Sequence, residues 1–125
     1  MPDLNVLVVD DEPAVRQVLA AAIGKAGYAV ESAASASEAL ARLDKTPFDV
    51  VLSDVFMPVT DGIELLKQAR ARGHAATFIM VTAFASVDSA IDAIKAGAWD
   101  YITKPVRNEE ILPRLEQLEA MQGLR

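Results

Sequence analysis

The sequence contains no cysteine and a single histidine, His74. Without thiols, the chain can form no disulfide, no thiolate nucleophile and no cysteine-based zinc site. One histidine cannot supply a histidine-rich metal site, and nothing around His74 suggests a Ser-His-Asp triad. Thiol and histidine chemistry are therefore poor candidates for the function of this chain.

Long apolar segments and an excess of positive charge are also missing. No stretch approaches the roughly 20 apolar residues that a membrane helix needs. The first residues, Met1-Pro2-Asp3, lack the charged and apolar regions of a signal peptide. The formal net charge of −6 argues against non-specific nucleic-acid binding. We expect a cytoplasmic domain that contacts neither membrane nor nucleic acid directly.

The size of the chain fits one compact unit. It has 125 residues, of which 52% are hydrophobic, and this apolar content argues against disorder. There is no internal repeat, low-complexity tract or interdomain linker. We expect a single domain over 1–125 with a core of about 4–121, and little room for an output module.

Short apolar runs alternate with segments of helical spacing. Continuous β-branched runs such as 6–9 are typical of strands buried on both faces, whereas the segments between the runs place apolar residues three or four positions apart. The fourth of these segments carries Val87, Ala90, Ile91 and Ile94. Such alternation predicts a parallel sheet with helices on both faces. The five apolar runs are 4–9, 28–33, 49–52, 77–81 and 99–102.

Local signals mark where the predicted helices begin and end. Ser35 followed three residues later by Glu38 is typical of a capping box at a helix start. Gly27, Gly73 and Gly97 each follow a helical segment, where glycine suits the left-handed conformation that ends many helices. These signals support the assignment of the alternating segments as helices.

Polar residues follow four of the five predicted strands. Asp10 and Asp11 follow the first strand, Asp54 the third, Thr82 the fourth and Lys104 the fifth. In this architecture ligands bind outside the carboxyl ends of the strands. The sequence therefore predicts a shallow cleft that holds three carboxylates, one hydroxyl and one ammonium group.

The residue types in this cleft indicate phosphoryl chemistry. Clustered carboxylates repel one another unless a cation lies between them, and oxygen ligands of this kind suit Mg²⁺. An aspartate beside the metal is a plausible nucleophile toward phosphorus, and Lys104 and Thr82 supply a charge and a donor for phosphoryl oxygens. Taken singly, each residue has a plainer explanation, such as helix capping or a solvated surface charge. The combination of all of them favours a site.

The motifs at these positions resemble the receiver domain of two-component response regulators, which has a CheY-like fold. The resemblance covers about 4–121 and implies an α/β, three-layer, doubly wound (βα)5 flavodoxin-like domain with a parallel five-stranded sheet in the order 2-1-3-4-5. The stretch 82–105 is most similar to receivers of NtrC-like transcriptional activators. The matching motifs are LVVDDE at 7–12, DVFMPVTDG at 54–62, VTAFAS at 81–86 and AGAWDYITKPV at 96–106.

The resemblance also implies roles for the residues of the cleft. Asp54 is similar to the phospho-accepting aspartate of the family. Asp10, Asp11, Asp54 and the backbone carbonyl of Phe56 are implied as the Mg²⁺ site, with Asp11 the more direct ligand of the acidic pair. Lys104 is implied to bond the acyl phosphate.

A switch and its partners follow from the same resemblance. Thr82 is similar to the hydroxyl that closes onto the phosphate, and Tyr101 to the aromatic residue whose ring follows it inward. The implied partners are a sensor histidine kinase and an output module, either in the same chain or separate. The face formed by the fourth helix, fifth strand and fifth helix is implied to change, with a possible phosphorylation-dependent homodimer. The chain is then a signalling switch and not an enzyme acting on other substrates.

Three other classes compete with this interpretation. A phosphatase of the haloacid dehalogenase type needs a second aspartate two positions after the nucleophile, where this chain has Phe56. A flavin-binding domain needs a phosphate loop after the first strand, where the acidic pair would repel phosphate without a metal. A receiver-like module that is never phosphorylated would lack the acidic pair, the acceptor or the lysine, and all three are present here.

Overall fold

The computed structural model describes residues 4–123. Within them five strands alternate with five helices. The strands are β1 (Asn5–Val9), β2 (Ala29–Ala33), β3 (Val50–Asp54), β4 (Thr77–Thr82) and β5 (Asp100–Thr103). The helices are α1 (Pro13–Lys25), α2 (Ala36–Lys45), α3 (Gly62–Ala71), α4 (Val87–Lys95) and α5 (Asn108–Gly123). All five predicted strands and all five predicted helices are confirmed.

The five strands form one parallel sheet in the order β2-β1-β3-β4-β5, which confirms the predicted fold. Alternate strand residues face opposite layers, because the side-chain period of a strand is two. Leu7 and Val51 pack with α2 and α3, whereas Val8 and Leu52 pack with α1 and α5. The strand order reverses between β1 and β3, which places a crevice at their carboxyl ends.

The predicted helix boundaries have the expected chemistry. The Ser35 hydroxyl accepts a hydrogen bond from the Glu38 N–H at 3.1 Å, and the Glu38 carboxylate accepts one from the Ala34 N–H at 3.1 Å. The second bond differs from the usual capping box, in which the acidic residue reaches the N-cap residue itself. Gly27, Gly73 and Gly97 all have positive φ, as predicted.

Helix α4 forms as predicted, but its apolar stripe faces away from the sheet. Val87, Ile91 and Ile94 are exposed, and Ala93 is the buried residue of this helix. Periodicity shows that apolar residues share one face, but not the direction in which that face points. Within residues 4–123, no helix is long and apolar enough to span a bilayer.

Candidate functional site

The site lies at the carboxyl ends of the strands, beside the point where strand order reverses. Asp10 directly follows β1, Asp54 ends β3, and Thr82 ends the neighbouring strand β4. All three side chains are buried. The structure thus brings together residues that are far apart in sequence, as their positions at strand ends predicted.

Lys104 joins the two buried aspartates. Its ammonium lies 2.7 Å from Asp10 Oδ2 and 2.8 Å from Asp54 Oδ2, and 3.8 Å from Glu12 Oε1. Its backbone N–H donates to the Thr82 carbonyl at 2.8 Å, which fixes the start of the β5–α5 loop against β4. The predicted ammonium is therefore in direct contact with two of the three predicted carboxylates.

Burial and pairing shift the ionisation of these groups in identifiable ways. Burial raises the pKa of the Asp54 carboxyl above its ordinary value of 3.8, although hydrogen bonds from Lys104 and the Phe56 N–H act against this shift. For Lys104, burial lowers the pKa, but its hydrogen bonds to Asp10 and Asp54 outweigh this effect, so the pKa lies above 10.5. The lysine is therefore charged at neutral pH, and it partly compensates the buried carboxylates.

Side-chain oxygens organise the backbone just after Asp10, Asp54 and Thr82. Asp10 Oδ1 accepts from the N–H two residues later at 2.9 Å, and Asp54 Oδ1 accepts from the Phe56 N–H at 3.1 Å. Thr82 Oγ1 accepts from the Phe84 N–H at 3.1 Å. Aspartate and threonine favour such local turns because their short side chains reach the backbone two residues on. The turns orient the functional oxygens and place two phenylalanines beside them.

Three carboxylates come close enough to hold a metal ion. Asp10, Glu12 and Asp54 each offer an oxygen, and these oxygens lie within 4.8 Å of one another. Carboxylate oxygens are hard donors of the kind that Mg²⁺ prefers, so these residues fit a divalent ion. The Lys104 ammonium between Asp10 and Asp54 shows that the site accommodates positive charge. Asp11 is exposed and lies outside this group, so its role as direct ligand stays a prediction.

Glu12 was not among the predicted site residues. The sequence signal for Glu12 is its position two residues after Asp10. An aspartate often accepts a hydrogen bond from the N–H two residues later, and this bond turns the chain so that Glu12 lies near the site. The role of the Phe56 backbone carbonyl as a metal ligand also stays a prediction. The Arg16 guanidinium, which likewise was not predicted, donates to the Asp10 carbonyl at 2.7 Å.

Gly62 lets the loop after β3 close tightly behind the acceptor position. A Cβ at this residue would lie 2.1 Å from the Asp54 carbonyl oxygen and 3.0 Å from Ser53 Oγ. The Gly62 N–H donates to the Val55 carbonyl at 2.7 Å, which holds the start of α3 against the end of β3. Only glycine allows this close backbone approach.

Two aromatic features border the site. The Tyr101 hydroxyl is hydrogen-bonded to Ser89 Oγ on α4 at 2.5 Å, and its ring is half-buried against the core. The rings of Phe56 and Phe84 meet edge to face, with centroids 6.2 Å apart, and both side chains are exposed. The predicted switch residue Tyr101 is thus connected to α4, and an apolar pair covers the surface next to Asp54 and Thr82.

Fold and site together define a doubly wound parallel α/β domain with an acidic, lysine-bridged site where the strand order reverses. The family model for the response regulator receiver domain matches residues 6–116. The chain belongs to this family, as the sequence motifs predicted.

Curated relatives include transcriptional regulators. The chain is 40% identical over 114 residues to the transcriptional regulatory protein ZraR of Salmonella typhimurium, covering 91% of this chain and 26% of that protein. It is also 40% identical to the response regulator protein PilR of Pseudomonas aeruginosa, covering 91% of this chain and 25% of PilR. The chain therefore spans about a quarter of the length of these two relatives.

Solved structures share the whole fold. The chemotaxis protein CheY4 of Vibrio cholerae superposes with a TM-score of 0.87 at 36% identity, covering 92% of this chain and 98% of that one. FixJ-N superposes with a TM-score of 0.87 at 34% identity, covering 96% of each chain. The CheY-like fold predicted from the sequence is confirmed.

Proposed function

We propose that the chain is the phospho-accepting receiver of a two-component system, with Asp54 as the acceptor. The observation that carries the proposal is the Lys104 ammonium between Asp10 and Asp54, at 2.7 and 2.8 Å. An ammonium held in this way can bond an oxygen of a phosphoryl group on Asp54 and neutralise the charge that develops during transfer.

In the proposed reaction, a carboxylate oxygen of Asp54 attacks the phosphorus of a phosphohistidine on a sensor kinase. An oxygen–phosphorus bond forms, the phosphorus–nitrogen bond breaks, and the histidine ring leaves with the electron pair of that bond. Lys104 stabilises the phosphoryl oxygens, and the Thr82 hydroxyl donates to one of them once it leaves the Phe84 N–H. In this proposal the chain catalyses the transfer of a phosphoryl group to its own Asp54 and acts on no other substrate.

Asp10, Asp54 and Glu12 would hold a Mg²⁺ ion in this site, with Asp11 and the Phe56 carbonyl as the further ligands that the family resemblance implies. When bound, the ion neutralises the carboxylates and orients the incoming phosphoryl oxygens. The Lys104 ammonium, which lies 2.7 Å from Asp10 Oδ2, would share the Asp10 carboxylate with such an ion.

We propose that a protein donor docks beside this site. An apolar groove of about 440 Å³ lies next to Lys104, between α1 and the β5–α5 loop, and Val15, Val18 and Val106 line it. Such a groove suits an apolar helix surface of a protein partner. Phosphorylation would then move Thr82 and Tyr101 and alter the face made by α4, β5 and α5.

The proposed setting follows from the family. The output module lies either in a longer parent chain or in a separate partner, and the domain works in the cytoplasm as a single unit over 1–125. The transcriptional regulatory protein ZraR of Salmonella typhimurium, of which this chain spans 26%, supports an output of this kind.

The acceptor is tested by incubating the chain with Mg²⁺ and acetyl phosphate and mapping the label by mass spectrometry. We expect one phosphoryl group on Asp54 and none in Asp54→Asn. Asp92→Asn, which changes an exposed aspartate on α4, serves as the matched control and should label normally. Labelling that persists in Asp54→Asn, or no labelling of the unmodified chain, contradicts the proposal.

A further inference from the structure

Asp10 is held through its backbone as well as through its carboxylate. Its N–H donates to the Ala33 carbonyl at 3.1 Å. Its two carboxylate oxygens contact the Glu12 N–H and the Lys104 ammonium. Strand β1 ends at Val9, so the Asp10 carbonyl lies beyond the paired residues of this strand. A carbonyl at such a buried residue needs a donor from elsewhere.

Arg16 on α1 supplies this donor. Its guanidinium donates to the Asp10 carbonyl at 2.7 Å, a distance typical of a charge-assisted hydrogen bond. The half-buried side chain reaches back over the turn before its own helix, which is the direction that helical side chains take. Because a peptide group is planar, this bond holds the whole unit between Asp10 and Asp11 in one orientation.

The stability of α1 does not explain an arginine at this position. The N-terminus of a helix carries partial positive charge, so a cation near it is unfavourable. Helix α1 begins at Pro13, which puts Arg16 at the end of its first turn. The N-cap residue Glu12 directs its carboxylate to the acidic cluster instead of capping the helix. Both side chains therefore serve the loop after β1 and not the helix itself.

The Arg16 charge also acts on the start of α2. The pKa of the Glu38 carboxyl is lowered chiefly by the hydrogen bond from the Ala34 N–H, and Arg42 and Arg16 add to this effect. Arg16 thus lies between the loop after β1 and the loop after β2. The contact that links it to the acidic cluster is its hydrogen bond to the Asp10 carbonyl.

We propose that Arg16 is a positioning residue for the divalent ion of the phospho-accepting site. Its bond to the Asp10 carbonyl fixes the turn at 10–12, so that the carboxylates of Asp10 and Glu12 face Asp54 before an ion binds. Ligands held in this way bind a metal more tightly, because they lose less conformational freedom on binding. The inference rests on the proposed function and adds to it a residue that acts on the metal site from outside.

Geometry and charge predict opposite effects when Arg16 is removed. A guanidinium near a cation site repels the cation, so the loss of its charge alone would tighten divalent binding. Loss of the bond to Asp10 loosens the turn and would weaken divalent binding. We expect the geometric effect to prevail, because removing a residue that holds a metal ligand typically costs roughly ten- to hundredfold in affinity.

Titration with Mn²⁺, followed by the electron paramagnetic resonance signal of the free ion, measures this effect, and competition extends it to Mg²⁺. We expect Arg16→Met to raise both dissociation constants about tenfold. Lys25→Met is the matched control, because it removes the same charge from the far end of the same helix, and it should bind as the original chain does. Urea unfolding verifies that each variant is folded. Arg16→Gln, which shortens the side chain but keeps it polar, replaces the methionine variant if that one does not fold.

Labelling with acetyl phosphate separates positioning from structural damage. Arg16→Met should need about tenfold more Mg²⁺ for half-maximal labelling, but at saturating Mg²⁺ its rate should match that of the original chain. The inference is overturned by unchanged or tighter divalent binding in the variant, by an equal loss in Lys25→Met, or by an original chain that binds no Mn²⁺. A rate that stays low at saturating Mg²⁺ also overturns it. Because the Mn²⁺ titration contains no phosphoryl donor, its result is independent of the labelling of Asp54.

Discussion

Val59 occupies a backbone conformation that β-branched residues rarely adopt. Its φ is 70°, and the Thr60 N–H donates to the Pro58 carbonyl at 2.8 Å, which closes a three-residue turn around it. With positive φ at the centre, such a turn is strained for any residue with a Cβ. The Val59 side chain is fully exposed, so no packing compensates for this strain.

Replacing Val59 with glycine should therefore stabilise the domain. We expect Val59→Gly to raise the free energy of unfolding by about 1 kcal/mol, since relief of strain exceeds the entropy that glycine adds to the unfolded chain. Val59→Ala keeps a Cβ and is the matched control. Urea unfolding that finds Val59→Gly no more stable than Val59→Ala would contradict this account.

The pair of Phe56 and Phe84 should prolong the life of a phosphoryl group on Asp54. Their rings border the acceptor, and neither can orient a hydrolytic water by hydrogen bonding. The double variant Phe56→Asn/Phe84→Glu should lose phosphate roughly tenfold faster, because polar groups there can position and activate water. Radiolabel decay measures this rate, and Val18→Asn on α1 is the control. Equal half-lives for the double variant and the original chain would refute the prediction.

At the scale of elements, one pair of hydroxyls connects α4 to β5. Ser89 Oγ and the Tyr101 hydroxyl are hydrogen-bonded at 2.5 Å. The backbone N–H of Ser89, in the first turn of α4, donates to the hydroxyl of the N-cap residue Ser86. If Tyr101 turns inward on phosphorylation, its bond to Ser89 must break. Ser89 is then a positioning residue that stabilises the unphosphorylated arrangement.

Removing this bond should favour the phosphorylated arrangement. A hydrogen bond worth about 1 kcal/mol corresponds to a roughly fivefold tighter apparent binding of beryllofluoride in Ser89→Ala. Tyr101→Phe should act similarly, and the double variant should add little, because both changes remove the same contact. Titration of each variant with beryllofluoride measures the effect. Ser37→Ala, which changes an exposed serine on α2, is the control. An unchanged affinity in Ser89→Ala would argue against the positioning role.

The start of α2 gives a stability contribution that depends on pH. The pKa of Glu38 lies below its ordinary value of 4.5, chiefly because its carboxylate accepts from the Ala34 N–H, with Arg42 adding a second bond. The fold thus favours the charged form. This contribution is complete above about pH 4.5 and is lost as the pH falls through the lower folded-state pKa.

Glu38→Gln should therefore cost a few tenths of a kcal/mol at pH 7, since the side chain is partly exposed. The difference from the original chain should shrink as the pH is lowered below about 4.5 and through the lower folded-state pKa of Glu38. Urea unfolding at several pH values measures it, with the exposed Glu116→Gln on α5 as control. A difference that stays constant or grows in acid would contradict the assignment.

At the scale of the whole molecule, the fold was predictable because buried parallel strands leave a strong pattern. The meeting of Asp10, Asp54 and Lys104 was also predictable, because parallel strands end at the same edge of a sheet. The position of the Lys104 ammonium between the two aspartates could not be predicted, nor could the place of Glu12 among the clustered carboxylates, because both depend on side-chain conformation. The outward stripe of α4 was not predictable either, because periodicity identifies a face without its direction.

The position of Lys104 has a consequence for the order in which the site is built during synthesis. Asp10 and Asp54 leave the ribosome well before Lys104, which lies 50 residues beyond Asp54. A nascent chain that ends before β5 contains both carboxylates but not their ammonium. Lys104, which directly follows the last strand at the sheet edge, brings the ammonium that compensates their repulsion. The finished charge balance of the site is therefore a property of the completely translated domain.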